Sequence, residues 1–386
     1  MSPPTGIALL GATGSIGATA QRVVARHPAR FRFVAMTAHS DRAALAAADA
    51  RWRPAVVGLV NPGNEPLPER WSHGRECLVE AATHDDVAIV LNAVVGAVGL
   101  EATLAAVSAG KRVALANKES LVMGGALVQR AMCSGGGTVV PVDSEHSALL
   151  QCLAGRVGGR GPGLLPVAGV RRFIITASGG PFREWDAKRI HQATLADVLK
   201  HPTWAMGRKI SVDSASLANK ALEVIEAHLL FGVPYERIEV VVHPQSIVHS
   251  MVEFEDGSVV AQLGVPSMEL PVLYALGYPD RITDDGVPRF DPVASSPLTF
   301  EPVRHDLFPT LGLGIAAGVT GGAAPAVFNA ANEAAVARVL AGTMAFSTIP
   351  GAIELALSRL GHHSGEDLPA LLAADAAARV LVQEYR

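Results

Sequence analysis

The run Ile7-Ala8-Leu9-Leu10-Gly11-Ala12-Thr13-Gly14-Ser15-Ile16-Gly17 decides how the chain begins to fold. A short apolar stretch of strand type meets glycines spaced three residues apart, and a helical pattern follows to about Arg26. Glycine permits a tight turn and a close backbone approach at such a point. The helix N-terminus offers free N–H groups to an anion such as a pyrophosphate. The spacing is GxxGxxG and not GxGxxG, so the turn alone is a weak signal. Its place at the start of the chain, between strand and helix, points to dinucleotide binding. The plainer reading is an ordinary βα turn.

Outward from this turn, residues 31–36 read as a second strand, and residues 87–91, 113–115 and 139–142 as later ones. Helical segments at 100–109 and 121–132 separate them. Such alternation predicts an α/β fold with a Rossmann-like, doubly wound, mostly parallel sheet. A Gly-rich tract at 155–169 reads as a connection. Residues 173–176 form a new strand, 217–231 an amphipathic helix, and 239–242 and 249–264 are strand-like. Asp256-Gly257 marks a hairpin within the last of these. This middle region is therefore α+β. Residues 182–208 are polar and mixed, and read as a mobile lid over a site. The stretch 279–309, rich in Pro, Asp and Ser, reads as a linker, and the Ala- and Leu-rich remainder as a helical domain. The expected division is 1–146 for the nucleotide, 147–278 for catalysis, 279–309 as linker and 310–386 as C-terminal helices.

The 386 residues are 49% apolar, enough for sizeable cores, and carry a net charge of −4. No basic block or stripe appears, which argues against nucleic acid as a partner. An anionic ligand must be held by a local site and not by a global field. Cys77, Cys133 and Cys152 show neither CxxC nor CxxH spacing, so no disulfide framework or zinc site is expected and a reducing cytoplasm fits. Ser2-Pro3-Pro4 leads straight into a strand-like run, and no signal peptide is expected. The most apolar stretch, 87–100, is interrupted by Asn92, Gly96 and Gly99 and is too short to span a membrane.

Chemistry-bearing residues cluster in a few segments. In Thr138-Val139-Val140-Pro141-Val142-Asp143-Ser144-Glu145-His146, two acids stand where a buried strand ends. Read as strand residues two apart, Asp143 and Glu145 face one direction. Ligands of open α/β sheets bind beyond the carboxyl ends of strands. Two carboxylates there repel unless a cation or a proton lies between them, and Mg²⁺ and Mn²⁺ prefer oxygen ligands. The plainer reading is a pair of helix-capping and surface acids. On the helix after residue 217, Asn219 and Glu223 are i,i+4 and Lys220 and Glu223 are i,i+3. One face can offer Asn219 and Lys220 to a phosphate while Glu223 completes a metal site; the alternative is a surface Lys–Glu pair. Lys118, in Ala116-Asn117-Lys118-Glu119-Ser120, meets substrate or nicotinamide, or sits on a solvated turn. Ser178, ahead of Gly179-Gly180, suits a phosphate, or is a turn serine. In the lid, Trp204 can cover apolar parts of substrate and cofactor, although Trp204 and Met206 are also common core residues and His201 a common structural histidine. At the end of the second strand no acid awaits the ribose hydroxyls. His39, Ser40 and Arg42 there favour a 2′-phosphate and hence NADP(H), unless Ser40 or Asp41 merely caps the next helix.

Taken together, these segments resemble the 1-deoxy-D-xylulose 5-phosphate reductoisomerase family over nearly the whole chain. The resemblance runs through Gly11 to Gly17, Leu115 to Ser120, Pro141 to His146, Ala177-Ser178-Gly179-Gly180-Pro181-Phe182-Arg183, residues 201–208 and 212–223, and His243-Pro244-Gln245-Ser246. It implies NADPH as cofactor and Mg²⁺ or Mn²⁺ held by Asp143, Glu145 and Glu223. Lys118, Ser144, Glu145 and His201 would contact the substrate, and Ser178, Ser214, Asn219 and Lys220 its phosphate. Thr13, Gly14, Ser15, Ile16, Asn117, Glu119 and Gly207 would hold NADPH, with His39 and Ser40 at its 2′-phosphate. Trp204 and Met206 would belong to the closing lid, and His146 and His243 would support the site from behind. The family usually has Gly and then Asn where this chain has His39 and Asp41, which leaves the 2′-phosphate contacts open. The implied reaction is a retro-aldol/aldol rearrangement of 1-deoxy-D-xylulose 5-phosphate to a branched aldehyde. Hydride transfer then gives 2-C-methyl-D-erythritol 4-phosphate, in non-mevalonate isoprenoid synthesis. A homodimer through the sheet near residues 249–264 is also implied. Two other readings exist. A semialdehyde or homoserine dehydrogenase type of NADP-linked reductase is one, but the semialdehyde type needs an activated cysteine, and none of the three has that context. A non-catalytic NADP-binding sensor is the other, and it has no need of three acids and a lysine set.

Overall fold

Strands that are apolar on both faces must be covered on both faces, and in the computed structural model the N-terminal strands form one parallel sheet between helices. The structure describes residues 3–156, 167–204 and 206–386. Strands β1 (Thr5–Leu10), β2 (Phe31–Ala38), β3 (Val56–Leu59), β4 (Trp71–His73), β5 (Ile89–Asn92), β6 (Arg112–Leu115) and β7 (Thr138–Pro141) lie in the order β4-β3-β2-β1-β5-β6-β7. Helices α1 (Ser15–Arg26), α2 (Arg42–Trp52), α3 (Glu76–Thr83), α4 (Leu100–Ser108) and α5 (Lys118–Gly135) connect them. Leu9, Leu10, Val90, Leu91, Val113 and Val140 are fully buried at the centre. Winding reverses between β1 and β5, and this leaves a crevice at their carboxyl ends. Gly11 turns the chain there with φ +87°, and a Cβ on it would lie 2.6 Å from the Ala93 carbonyl oxygen.

The two acids after β7 are not strand residues. Pairing stops at Pro141, and α6 (Ser144–Cys152) starts at once, with Asp143 at its N-cap and Glu145 in its first turn. The buried face of α6, including His146, Ala148 and Leu149, packs against the second sheet, and that packing overrides continued strand pairing. Period-two alternation is therefore not what brings the acids together.

The second sheet holds β8 (Val170–Ala177), β9 (Ile238–Val242), β10 (Val248–Phe254), β11 (Val259–Leu263) and β12 (Glu301–Pro302), ordered β11-β10-β8-β9-β12. Only the β8–β9 pair is parallel. The Asp256-Gly257 hairpin joins β10 to β11 as expected. The expected helix at 217–231 is present as α10 (Ala218–Phe231), and a further helix, α9 (Arg208–Ser216), precedes it, separated by Leu217 with φ 60°. Helix α10 is not amphipathic, because it is buried on nearly every side, between α5, α6, α9 and helices from the C-terminal part of the chain.

Two further expectations change. The linker 279–309 supplies β12, where Pro302 sits on a sheet edge and costs little pairing. In the expected lid, α7 (Ala187–His191) and α8 (Leu195–Val198) are anchored by buried Phe182, Ile190 and Val198. Arg304 also donates to the carbonyls of Phe182 at 2.9 Å and Trp185 at 2.8 Å. Of the described residues of this segment, those that line the crevice are His201, Thr203, Trp204, Met206 and Gly207. The Gly-rich connection falls mostly outside the described residues. After α11 (Glu269–Gly277) come the C-terminal helices α12 (Pro309–Thr320), α13 (Ala324–Leu340), α14 (Ile349–Leu360) and α15 (Leu368–Glu384). Helix α13 reaches back to α5 and α9. Among the described residues no helix is long and apolar enough to cross a membrane.

Candidate active site

A cavity of about 350 Å³ opens where the first sheet, α10 and residues His201, Thr203, Trp204, Met206 and Gly207 meet. The end of β6 delivers Lys118, the end of β7 delivers Asp143, Ser144 and Glu145, and α10 delivers Asn219, Lys220 and Glu223. Carboxylate oxygens of Asp143, Glu145 and Glu223 all lie within 4.8 Å of one another. Lys118 pairs with Asp143, and its Nζ is 3.1 Å from Glu223 Oε1 and 3.0 Å from Asn219 Oδ1. Lys220 Nζ is 2.8 Å from Glu145 Oε1 and also pairs with Glu223. The Ser144 hydroxyl donates to Glu145. Both plain readings fail here. Asp143 occupies an N-cap position but makes no capping hydrogen bond. Lys220 and Glu223 are only 3% and 1% exposed, so they are no surface pair.

The electrostatics follow from burial and this charge set. Burial, reinforced by the Glu145 carboxylate, raises Glu223 to about 7 against the pull of Lys118 and Lys220. Burial pushes Glu145 the same way, but the Lys220 ammonium and the Ser144 hydroxyl hold it well below the usual carboxylate range. Burial would lower Lys118 and Lys220, yet their acid partners keep both raised and charged. With Glu223 ionised, three carboxylates against two ammonium groups leave one negative charge uncompensated. An all-oxygen donor set of that kind fits a hard divalent cation.

Across the cavity, Ser178 follows β8 and accepts a 3.0 Å hydrogen bond from His201 Nε2. His201 Nδ1 accepts from the backbone N–H of Trp204 at 2.8 Å and Thr203 at 3.2 Å, so the ring proton resides on Nε2. Burial lowers the His201 pKa and keeps the ring neutral. Gly180 has φ +63°, and a Cβ there would lie 2.7 Å from the Ser214 carbonyl oxygen. Its absence lets the turn press onto α9, which brings Ser178 beside Ser214. After the break at Leu217, Asn219 and Lys220 line the same cavity, but their side chains are engaged with the acid cluster, Asn219 with Lys118 and Glu223 and Lys220 with Glu145 and Glu223. Trp204, Met206 and Gly207 line the cavity from above.

On the nucleotide side, Ser15 and Ile16 line the cavity, and Thr13 and Gly14 precede them on the same turn. Other expected contacts are placed differently. The Asn117 side chain is committed to the carbonyls of Val94 and Gly96 and to Ser120. Glu119 is buried against Lys209 at 2.7 Å. His39 and Ser40 are exposed beyond β2 and do not line the cavity. Asp41 caps α2 through Ala44 N–H at 3.0 Å, and Arg42 binds Glu65 at 2.9 Å, so its guanidinium is not free for a 2′-phosphate.

Ser246 and His249 also line the cavity; Ser246 stands in a motif of the sequence to which no role was given, and no motif singles out His249. His243 explains the first. Its Nδ1–H donates to the Thr299 carbonyl at 2.8 Å, and its Nε2 accepts from Ile247 N–H at 3.1 Å, which fixes the turn that bears Ser246.

A Rossmann-type crevice that opens onto convergent acids, two lysines and a serine-lined corner defines the class: a dinucleotide-dependent enzyme for a phosphorylated, metal-chelating substrate. Comparison with known proteins narrows this. Family profiles described as 1-deoxy-D-xylulose 5-phosphate reductoisomerase and its C-terminal domains match residues 7–125, 139–231 and 263–381. A curated reductoisomerase of that name from Ralstonia nicotianae is 48% identical over 98% of this chain and 97% of its own. One from Thermosynechococcus vestitus is 45% identical over 97% and 92%. A solved reductoisomerase in complex with NADPH, fosmidomycin and magnesium superposes with TM-score 0.91 at 36% identity, covering 98% of each chain. The Zymomonas mobilis enzyme in complex with NADPH gives 0.87 at 38%, covering 99% and 98%. The chain belongs to the 1-deoxy-D-xylulose 5-phosphate reductoisomerase family, and the activity expected from its sequence is that family's.

Proposed function

We propose that Asp143, Glu145 and Glu223 hold Mg²⁺ or Mn²⁺ and that the surrounding residues convert 1-deoxy-D-xylulose 5-phosphate and NADPH to 2-C-methyl-D-erythritol 4-phosphate. The observation that carries this is the convergence of the three acids with Lys118 and Lys220 in one buried pocket. A bound divalent cation supplies Lewis-acid polarisation of substrate oxygens, and NADPH supplies the hydride. Ser178, Ser214, Asn219 and Lys220 bind the phosphate, remote from the reacting carbons, and that binding energy goes into orientation and closure. Lys118, held charged by its acid partners, stabilises negative charge on a substrate oxygen while the carbon skeleton is cleaved and rejoined. Ser144 and the Nε2–H of His201 orient substrate hydroxyls. Trp204 and Met206 exclude water from the reactive aldehyde. Thr13 to Ile16 and Gly207 hold the dinucleotide.

The chain acts as a homodimer through the β10–β11 side of the second sheet, where Val259 and Val260 are exposed. A cytoplasmic setting is consistent with Cys77, Cys133 and Cys152, which are free thiols. The test is product identity. Incubation with substrate, Mg²⁺ and NADPH should give the branched tetritol phosphate by carbon NMR, with one NADP⁺ formed per product. A reduced but unbranched sugar phosphate would overturn the reading.

A further inference from the structure

Behind the three acids, outside the cavity lining, Glu226 is completely buried one turn beyond Glu223 on α10. Its Oε2 lies 3.3 Å from Nδ1 of His146, which is also completely buried. Among the described residues, both Glu226 oxygens and His146 Nδ1 are buried without a hydrogen-bond partner, and the 3.3 Å approach between them is the nearest to one. The other ring nitrogen, His146 Nε2, is 2.8 Å from the Glu223 backbone carbonyl. A carbonyl only accepts, so Nε2 carries hydrogen and donates it. A neutral ring then presents a lone pair at Nδ1, and the group placed to share a hydrogen with it is the Glu226 carboxyl. His146 is on α6, next to Glu145 and three residues after Asp143, whereas Glu226 and Glu223 are on α10. Among the described residues, the His146 ring is therefore the side chain of α6 that holds the backbone of α10 by a hydrogen bond.

We propose that Glu226 is a positioning residue for the metal ligands: it fixes the His146 ring and thereby holds Asp143 and Glu145 in register with Glu223. The proposal rests on the reading of those three acids as a cation site. Groups that orient metal ligands in this way typically change affinity by about 10–100-fold when removed.

The test uses Mn²⁺ alone as probe, with free Mn²⁺ read by electron paramagnetic resonance on the full-length protein. The parent should bind one Mn²⁺ per chain. Glu226→Leu should weaken that binding about 10–100-fold, with NADPH affinity unchanged by fluorescence titration. Glu226→Gln, whose amide N–H can still donate to Nδ1, should stay near the parent. A folded Glu226→Leu variant that binds Mn²⁺ like the parent would overturn the proposal and leave the cation site standing. A parent that binds no Mn²⁺ would overturn both. Two ions per chain would make Glu226 a ligand of a second site, and the positioning role would fall. Nitrogen-15 NMR of the parent's His146 needs no variant. It should show Nε2 protonated and Nδ1 hydrogen-bonded, and an unbonded Nδ1 would overturn the proposal.

Discussion

Glu223 is the residue on which most of the site's energetics turn. Burial and then Glu145 raise it to about 7, above the usual glutamate value of about 4.3. A carboxyl raised on folding contributes stability that is fully present below its unfolded pKa and is lost as pH rises through the folded one. Metal-free protein should therefore lose stability relative to Glu223→Gln between pH 5 and 8, on the order of 3 kcal/mol. A pH-independent difference in denaturant midpoints would contradict this. The same variant, loaded with Mg²⁺, should lose turnover by orders of magnitude; near-parental activity would remove Glu223 from the ligand set. Lys220→Ala should raise KM for the sugar phosphate and leave NADPH affinity alone, and an equal loss of both would move Lys220 out of the phosphate corner. These residues were legible in the sequence because each sits in a dense local motif. Glu226 and His249 were not, because their roles depend on neighbours that are far away in the chain.

Among the elements, α9 and the turn after β8 set the phosphate corner. Gly180→Ala adds a Cβ 2.7 Å from the Ser214 carbonyl at a φ of +63°. It should push the turn off α9 and raise KM for substrate with little change in NADPH affinity, as steady-state kinetics and cofactor titration would show. Lys209 ties α9 to α5 through Glu119 at 2.7 Å and lies 3.0 Å from Asp213 on its own helix. Asp213 in turn accepts from Asn332 of α13 at 2.8 Å. Lys209→Met leaves buried acids without their cation and should cost about 3–5 kcal/mol in denaturant unfolding. Elements with strong periodicity, such as β1, β5 and β7, were plain in the sequence. The helix at Asp143 to Glu145 was not, since a short apolar run followed by polar residues does not say where pairing stops. The short strands β3 and β4 and helix α9 escaped for a similar reason: sheet partners and tertiary packing decide them, not local pattern.

At the scale of the whole molecule, the two sheets and the C-terminal helices interlock, with α13 packed on α5 and α9. The expected linker lends β12 to the second sheet, and its Asp284 is bound by Arg26 at 2.8 Å and His27 at 3.0 Å from α1. The cavity draws residues from the first sheet, the second sheet and α10 together, so the acids, lysines and serines meet only when the whole chain is folded. The most direct test of that assembly is the absorbance of NADPH followed in the presence of 1-deoxy-D-xylulose 5-phosphate, first with chelator and then with added Mg²⁺. NADPH should be stable under chelator and should be consumed once Mg²⁺ is added, in the parent but not in Glu223→Gln. Oxidation that proceeds equally with and without the metal, or that survives in Glu223→Gln, would contradict the site described here.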